Sequence, residues 1–124
     1  MVLERPSAAL VATAARACRE KKAEDLVALD VRGLTSLAEV FLLCSGGSAR
    51  QVKAIADEVA QRMKAAGFRL LGAEGVREAV WVLLDYGDLV VHIFERETRA
   101  FYDLERLWGE APRLALEGET PTAA

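Results

Sequence analysis

The run Val40-Phe41-Leu42-Leu43-Cys44 is apolar at every position, and Ser45-Gly46-Gly47-Ser48 interrupts it at once. Successive side chains of a strand point to opposite faces of its sheet, so an unbroken apolar run predicts a central strand buried on both sides. The glycines end it, and Ser48 with Gln51 has the Ser-x-x-Gln spacing of a capping box, in which each side chain satisfies a backbone N–H of the other residue. A helix then follows, because Val52, Ile55, Ala56, Val59, Ala60 and Met63 recur at three- and four-residue steps until Gly67. Strand, glycine turn and amphipathic helix in that order are an α/β signature. At 124 residues, 52% hydrophobic and 28% charged, the chain has material for one domain with one real core.

The flanking segments fit the same class. Ser7 is placed to cap a first helix that carries Leu10, Val11, Ala14, Ala15 and Cys18 on one side and ends in Arg19-Glu20-Lys21-Lys22, where cations suit a helix C-terminus. Residues 25–31 read as a strand, 33–36 as a turn, 68–71 as a short strand and 72–78 as a loop. Residues 80–85 and 89–94 form a hairpin around Tyr86-Gly87, with Asp85 set opposite Asp88 and Trp81 opposite His92. Alternation puts Val80, Val82, Leu84, Leu89, Val91 and Ile93 on a core face. It puts Trp81, Leu83, Asp85, Val90, His92 and Phe94 on the other, with Tyr86 at the end. Thr98 caps a last helix in which Phe101, Leu104 and Trp108 share a face. Residues 1–111 are thus expected to form the domain and 112–124, rich in Pro, Gly, Glu, Thr and Ala, a flexible tail.

Charge and cysteine usage exclude several function classes. Sixteen Lys plus Arg against nineteen Asp plus Glu leave a net charge of −3, the wrong sign for a chain that grips a nucleic-acid backbone by itself. The acids cluster: residues 74–105 hold eight acids and three arginines, a local charge of −5 that suits a basic partner. Cys18 and Cys44 have no zinc spacing and are too few for a disulfide framework, so reduced thiols in the cytoplasm are expected. The Ala-rich start has neither the length nor the flanks of a membrane anchor or signal peptide.

Catalytic constellations are weak. The 45–48 turn resembles a phosphate cradle at a helix N-terminus, but it lacks a P-loop lysine and the dinucleotide spacing. Asp85 and Asp88 straddle a turn, where Asp is a preferred residue, rather than forming the facing pair that two-metal chemistry requires. His92 is the only histidine, and Cys44 at the end of a buried strand reads as core. No catalytic residue, metal site or cofactor is expected. The alternative is a nucleotide-binding or nucleotidyltransferase-like enzyme built on the 45–48 turn. The aromatic residues ringed by polar groups on the hairpin match the composition of interface hot spots; the alternatives are that another helix covers this face, as in many α/β sheets, or that it is a plain dimerisation surface.

Several blocks together resemble the ribosomal silencing factor family (RsfS, Iojap-like). They are Glu74-Gly75, Trp81-Val82-Leu83-Leu84-Asp85-Tyr86-Gly87-Asp88, Val90-Val91-His92-Ile93-Phe94 and the stretch from Arg99 to Trp108, with Phe41 to Ser48 and Gln51 to Asp57 upstream. The resemblance spans about residues 8–112. It implies an α/β single domain, a mixed sheet flanked by helices, nucleotidyltransferase-like in fold but without the catalytic carboxylates. It also implies a role without chemistry. The family binds the large ribosomal subunit through ribosomal protein L-fourteen (uL-fourteen), blocks association with the small subunit, represses translation under nutrient limitation, and tends to be homodimeric when free. Carried over, Trp81, Leu83, Asp85, Tyr86, His92 and Phe94 form the ribosomal-protein contact, with Glu74 and Asp88 as secondary contacts. One departure is Glu39-Val40-Phe41 where the family often has Asp-Tyr-Phe, which puts any contact through that phenol in doubt.

Overall fold

The computed structural model describes residues 5–102, 106, 109 and 111–116. The apolar run becomes β2 (Val40–Gly46), buried along its whole length. Before it come α1 (Arg5–Glu20) and β1 (Glu24–Asp30). After it come α2 (Ala49–Ala65), β3 (Gly72–Glu74), β4 (Trp81–Asp85), β5 (Leu89–Glu95), α3 (Arg96–Tyr102) and β6 (Arg113–Leu114). Among the described residues the sheet has the order β3-β4-β5-β2-β1-β6. Only β2 and β5 run parallel, in register from Val40 opposite Leu89 to Gly46 opposite Glu95. The other neighbours pair antiparallel. The fold is therefore the α/β domain that the strand, turn and helix pattern predicts, with the mixed sheet that the family resemblance implies. No helix among the described residues is long and apolar enough to cross a membrane.

Alternation along β2 and β5 divides the apolar residues into two cores. Val40, Leu42 and Cys44 of β2, with Leu89, Val91 and Ile93 of β5, meet Leu10, Val11, Ala14 and Cys18 of α1 and Val52, Ile55, Val59 and Met63 of α2. On the opposite face Phe41 and Leu43 join Leu29, Val31, Val90 and Phe94, with Trp81 and Leu83 packed against them. Burying Leu, Ile, Val or Phe side chains contributes roughly 1.5–3 kcal/mol each, so the helix-side cluster dominates the stability.

Both long helices end in the same hydrogen-bonded motif. After α2 the Phe68 N–H donates to Met63 O and the Gly67 N–H to Lys64 O, with Gly67 at φ +88°. After α1 the Ala23 N–H donates to Cys18 O and the Lys22 N–H to Arg19 O, so Lys22 holds the left-handed position at φ +57° without being glycine.

Several boundaries differ from the sequence reading for identifiable reasons. Ser7 lies inside α1, and its hydroxyl donates to Glu39 Oε1 at 2.5 Å, so it ties the helix to the start of β2 instead of capping. The strand expected at 68–71 forms instead at Gly72–Glu74, inside the expected 72–78 loop: the turn after α2 occupies Phe68, the Leu71 N–H makes the first bond to β4, donating to Asp85 O at 2.7 Å, and Leu71 is left 60% exposed. Val80 precedes β4 and is exposed, not core. The last helix begins at Arg96, before Thr98, while Leu104 and Trp108 lie outside the described residues. The first residues of the expected tail are in the fold: Asp30 N–H donates to Pro112 O, β6 pairs with β1, and Leu116 is buried. Residues 117–124 lie outside the described residues.

Two substitutions test the backbone with opposite signs. At Gly75, φ is +74° and an added Cβ would lie 2.0 Å from the Trp81 carbonyl oxygen. Gly75→Ala is expected to lower stability by about 2 kcal/mol or more. Lys22→Gly is expected to raise it by roughly 0.5 kcal/mol, since relief of the left-handed penalty outweighs the entropy that glycine brings to the unfolded chain. Urea unfolding of both variants beside the parent checks both signs.

Candidate functional site: the outer face of the β4–β5 hairpin

The turn between β4 and β5 is set by Gly87. Tyr86 N–H donates to Leu89 O at 2.8 Å and Gly87 N–H to Asp85 Oδ1 at 2.8 Å, with Gly87 at φ +86°. The tip is thus Gly87-Asp88, which gives glycine rather than tyrosine the positive φ. Asp85 faces Val90, Leu83 faces His92 and Trp81 faces Phe94, so the pairing is shifted by two residues from Asp85 opposite Asp88 and Trp81 opposite His92. A slip of one residue would have exchanged the faces, but a slip of two preserves them. Val82, Leu84, Leu89, Val91 and Ile93 accordingly pack under the helices, and Trp81, Leu83, Val90 and Phe94 belong to the opposite face.

Four rings meet on that outer face. Trp81 and Phe94 have centroids 5.0 Å apart, and the Phe41 and His92 rings meet edge-on at 4.9 Å with planes 70° apart. His92 and Phe94 stack nearly parallel, at 11° and 6.2 Å. The indole N–H of Trp81 donates to His92 Nδ1 at 3.2 Å. Diagonal neighbours across an antiparallel pair are within reach of long side chains, which is how a residue opposite Phe94 bonds the residue opposite Leu83. His92 is 6% exposed, and burial lowers its pKa to about 4.

The residues singled out from the sequence divide into two groups. Trp81, Leu83 and Asp85 form a half-buried file along β4, and Glu74 on β3 and Asp88 at the tip are exposed. Tyr86, His92 and Phe94 are buried, and Phe94 wholly so, so little of their surface faces solvent. Tyr86 also points the other way. It continues the alternation of Val82 and Leu84, so its ring joins the helix-side core, where its hydroxyl has no hydrogen-bond partner and burial raises its pKa. Phe41 is the member that sequence reasoning did not assign to the cluster. Its contact with His92 depends on the parallel pairing of β2 with β5, which no local pattern encodes. Position 40 lies at 0% exposure in the helix-side core, so valine in place of tyrosine there alters packing beneath the helices rather than the outer face.

The 45–48 turn uses its polar groups internally. Gly47 N–H donates to Gln51 Oε1 at 2.7 Å and Gln51 N–H to Ser48 Oγ at 3.1 Å. The capping box is therefore displaced by one residue, with Gln51 reaching back to Gly47 instead of Ser48. Ser45 is buried, and its hydroxyl accepts from Arg99 Nη1 at 2.9 Å. An added Cβ on Gly46 would lie 3.1 Å from the Val52 backbone and side chain, so close packing explains that glycine, whereas one on Gly47 would meet the movable end of the Arg96 guanidinium at 3.0 Å. Cys44 and Cys18 are free and buried with their sulfurs 3.8 Å apart, and their hydrogen bond together with burial pushes the Cys44 thiol well above its usual range. That opposes thiolate formation. Among the described residues no three His, Cys, Asp or Glu side chains come together as metal ligands.

His92 makes stability pH-dependent. Folding holds it neutral down to about pH 4, whereas the unfolded chain protonates near 6.5. Between those values the unfolded state binds more protons, so stability falls as pH falls, by up to roughly 1.4 kcal/mol per pH unit. His92→Phe is expected to flatten that part of the profile, and urea midpoints measured from pH 7 to pH 4 check it.

Comparison with known proteins places this geometry in a family. The family model described as "Ribosomal silencing factor during starvation" matches residues 4–124. The ribosomal silencing factor RsfS of Bacillus subtilis is 47% identical over 104 residues, covering 84% of this chain and 88% of that protein. The RsfS of Halalkalibacterium halodurans is 46% identical over 109 residues, covering 88% and 93%. A crystal structure of a Chromobacterium violaceum protein superposes with a TM-score of 0.81 at 37% identity, covering 97% of this chain and 92% of that one. Matches of this extent have one reading: the chain belongs to the ribosomal silencing factor family.

Proposed function

We propose that this chain represses translation as a non-catalytic wedge, docking the outer face of its hairpin on ribosomal protein L-fourteen (uL-fourteen) of the large subunit and blocking association with the small one. The observation that carries the reading is the half-exposed file Trp81, Leu83 and Asp85 on one rigid strand, flanked by the acids Glu74 and Asp88. Apolar side chains there would lose water on docking, at about 25 cal/mol per Å². The carboxylates would steer encounter with a basic patch and fix orientation more than they add affinity. His92 and Phe94 support the surface from within, while Tyr86 packs on the helix side of the sheet. The site of action is the cytoplasm, and the free chain pairs with a second copy.

Sedimentation of purified subunits tests the proposal. The chain is expected to travel with the large subunit and reduce joining at saturation, and unchanged joining without co-sedimentation overturns the reading. Trp81→Glu, which buries an uncompensated charge at the contact, is expected to weaken binding about thirtyfold or more while the protein stays folded. Asp85→Asn keeps the oxygen that accepts from Gly87 but deletes the charge. It is expected to slow association severalfold at low salt with little change in dissociation, read by stopped-flow at two ionic strengths.

A further inference from the structure

The imidazole of His92 is placed so that only one of its nitrogens is used. Nδ1 accepts the Trp81 indole N–H at 3.2 Å. A neutral imidazole that accepts at Nδ1 carries its proton on Nε2, and His92 Nε2 is buried without a hydrogen-bond partner. An unmade hydrogen bond of this kind is destabilising. Phenylalanine at this position, among Phe41, Trp81 and Phe94, would bring no polar atom into the cluster. What histidine supplies and phenylalanine cannot is the acceptor for the indole.

Trp81 is restrained at its backbone and along its ring. Its carbonyl oxygen packs against Gly75, where a Cβ would lie only 2.0 Å away, its ring packs on Phe94 with centroids 5.0 Å apart, and the tip of the ring is bonded to His92. Ring packing alone leaves a half-exposed indole free to slide and tilt, and the directional hydrogen bond fixes its orientation before docking.

We infer that His92 is a positioning residue of the docking face: buried beneath the contact, it presents Trp81 to the large subunit in one orientation through the Nδ1 hydrogen bond. This rests on the docking reading above. It assigns His92 a role through Trp81 instead of a contact of its own.

The test uses the full chain with His92→Phe, His92→Asn, Trp81→Phe and the double variant Trp81→Phe/His92→Phe. Each is measured for binding to purified large subunits and, free, for its indole N–H resonances. Removing the acceptor in His92→Phe is expected to weaken binding about tenfold, the equivalent of one rotamer-ordering cost, without lowering the unfolding midpoint at pH 7. Asparagine, whose Oδ1 falls where Nδ1 sits, is expected to restore binding to within about threefold. In the Trp81→Phe background His92→Phe is expected to have no further effect, because the two residues act as one unit. The Trp81 indole N–H resonance, identified by its loss in Trp81→Phe, is expected to shift in His92→Phe and return in His92→Asn.

Parental affinity in His92→Phe, an equal loss in the Trp81→Phe background, or an indole resonance that ignores His92 overturns the inference. If His92→Asn fails to fold, the double-variant comparison still decides. A parent chain that does not bind the large subunit at all overturns the docking reading instead, and the indole resonances then decide the hydrogen bond by themselves.

Discussion

The parallel pairing of β2 with β5 is the constraint on which the rest depends. Seven residue pairs, from Val40 with Leu89 to Gly46 with Glu95, join two strands whose side chains are buried on both sides. A parallel pair needs a long crossover, and here that connection carries α2, β3 and β4. The same pairing brings Phe41 and His92 onto one face, so the central packing of the domain and the support of the aromatic face around Trp81 come from one set of contacts.

The two faces of the sheet have different physical characters. Beneath α1 and α2 the contacts are almost wholly aliphatic, and the polar links between elements lie around them: Ser7 to Glu39, Gln51 to the Lys22 carbonyl, Arg99 to Ser45 and to the Asp25 carbonyl. The outer face is aromatic and contains a buried imidazole with one unsatisfied nitrogen. An apolar core tolerates exchange of similar volumes, whereas a buried polar group is sensitive to any change in its partner. The outer face is thus sensitive at the Trp81–His92 pair, and the helix side at the buried Tyr86 hydroxyl.

Glycine and left-handed backbone positions mark the points where this arrangement is held. Gly75 lets the loop before β4 pass against the Trp81 carbonyl, and Gly87 turns the hairpin so that Asp85 caps its own turn. Lys22 takes a position that glycine would adopt at lower cost, while its carbonyl receives the side chain of Gln51 from the start of α2. Side-chain chemistry and backbone geometry therefore meet at the two ends of the sheet, the helix entry on one side and the hairpin on the other.

The sequence by itself determined the features that local periodicity and turn chemistry encode. These are the buried run at 40–44, the glycine turn with Ser48 and Gln51, the helical spacing from Val52 to Met63, and the separation of Val82, Leu84, Val91 and Ile93 from Trp81, Leu83 and Phe94. The specific residues between Trp81 and Phe94 also carried the family resemblance. Only the tertiary structure decided the hairpin register, the use of Gly47 in the cap, the exposure of Val80, and the pairing of residues 113–114 with β1. It alone decided that Tyr86 faces the helices and that His92 and Phe94 lie inside while Trp81, Leu83 and Asp85 reach the surface. The reason is that alternation along a strand says which residues share a face, whereas burial depends on what packs against that face, and those partners are distant in the chain.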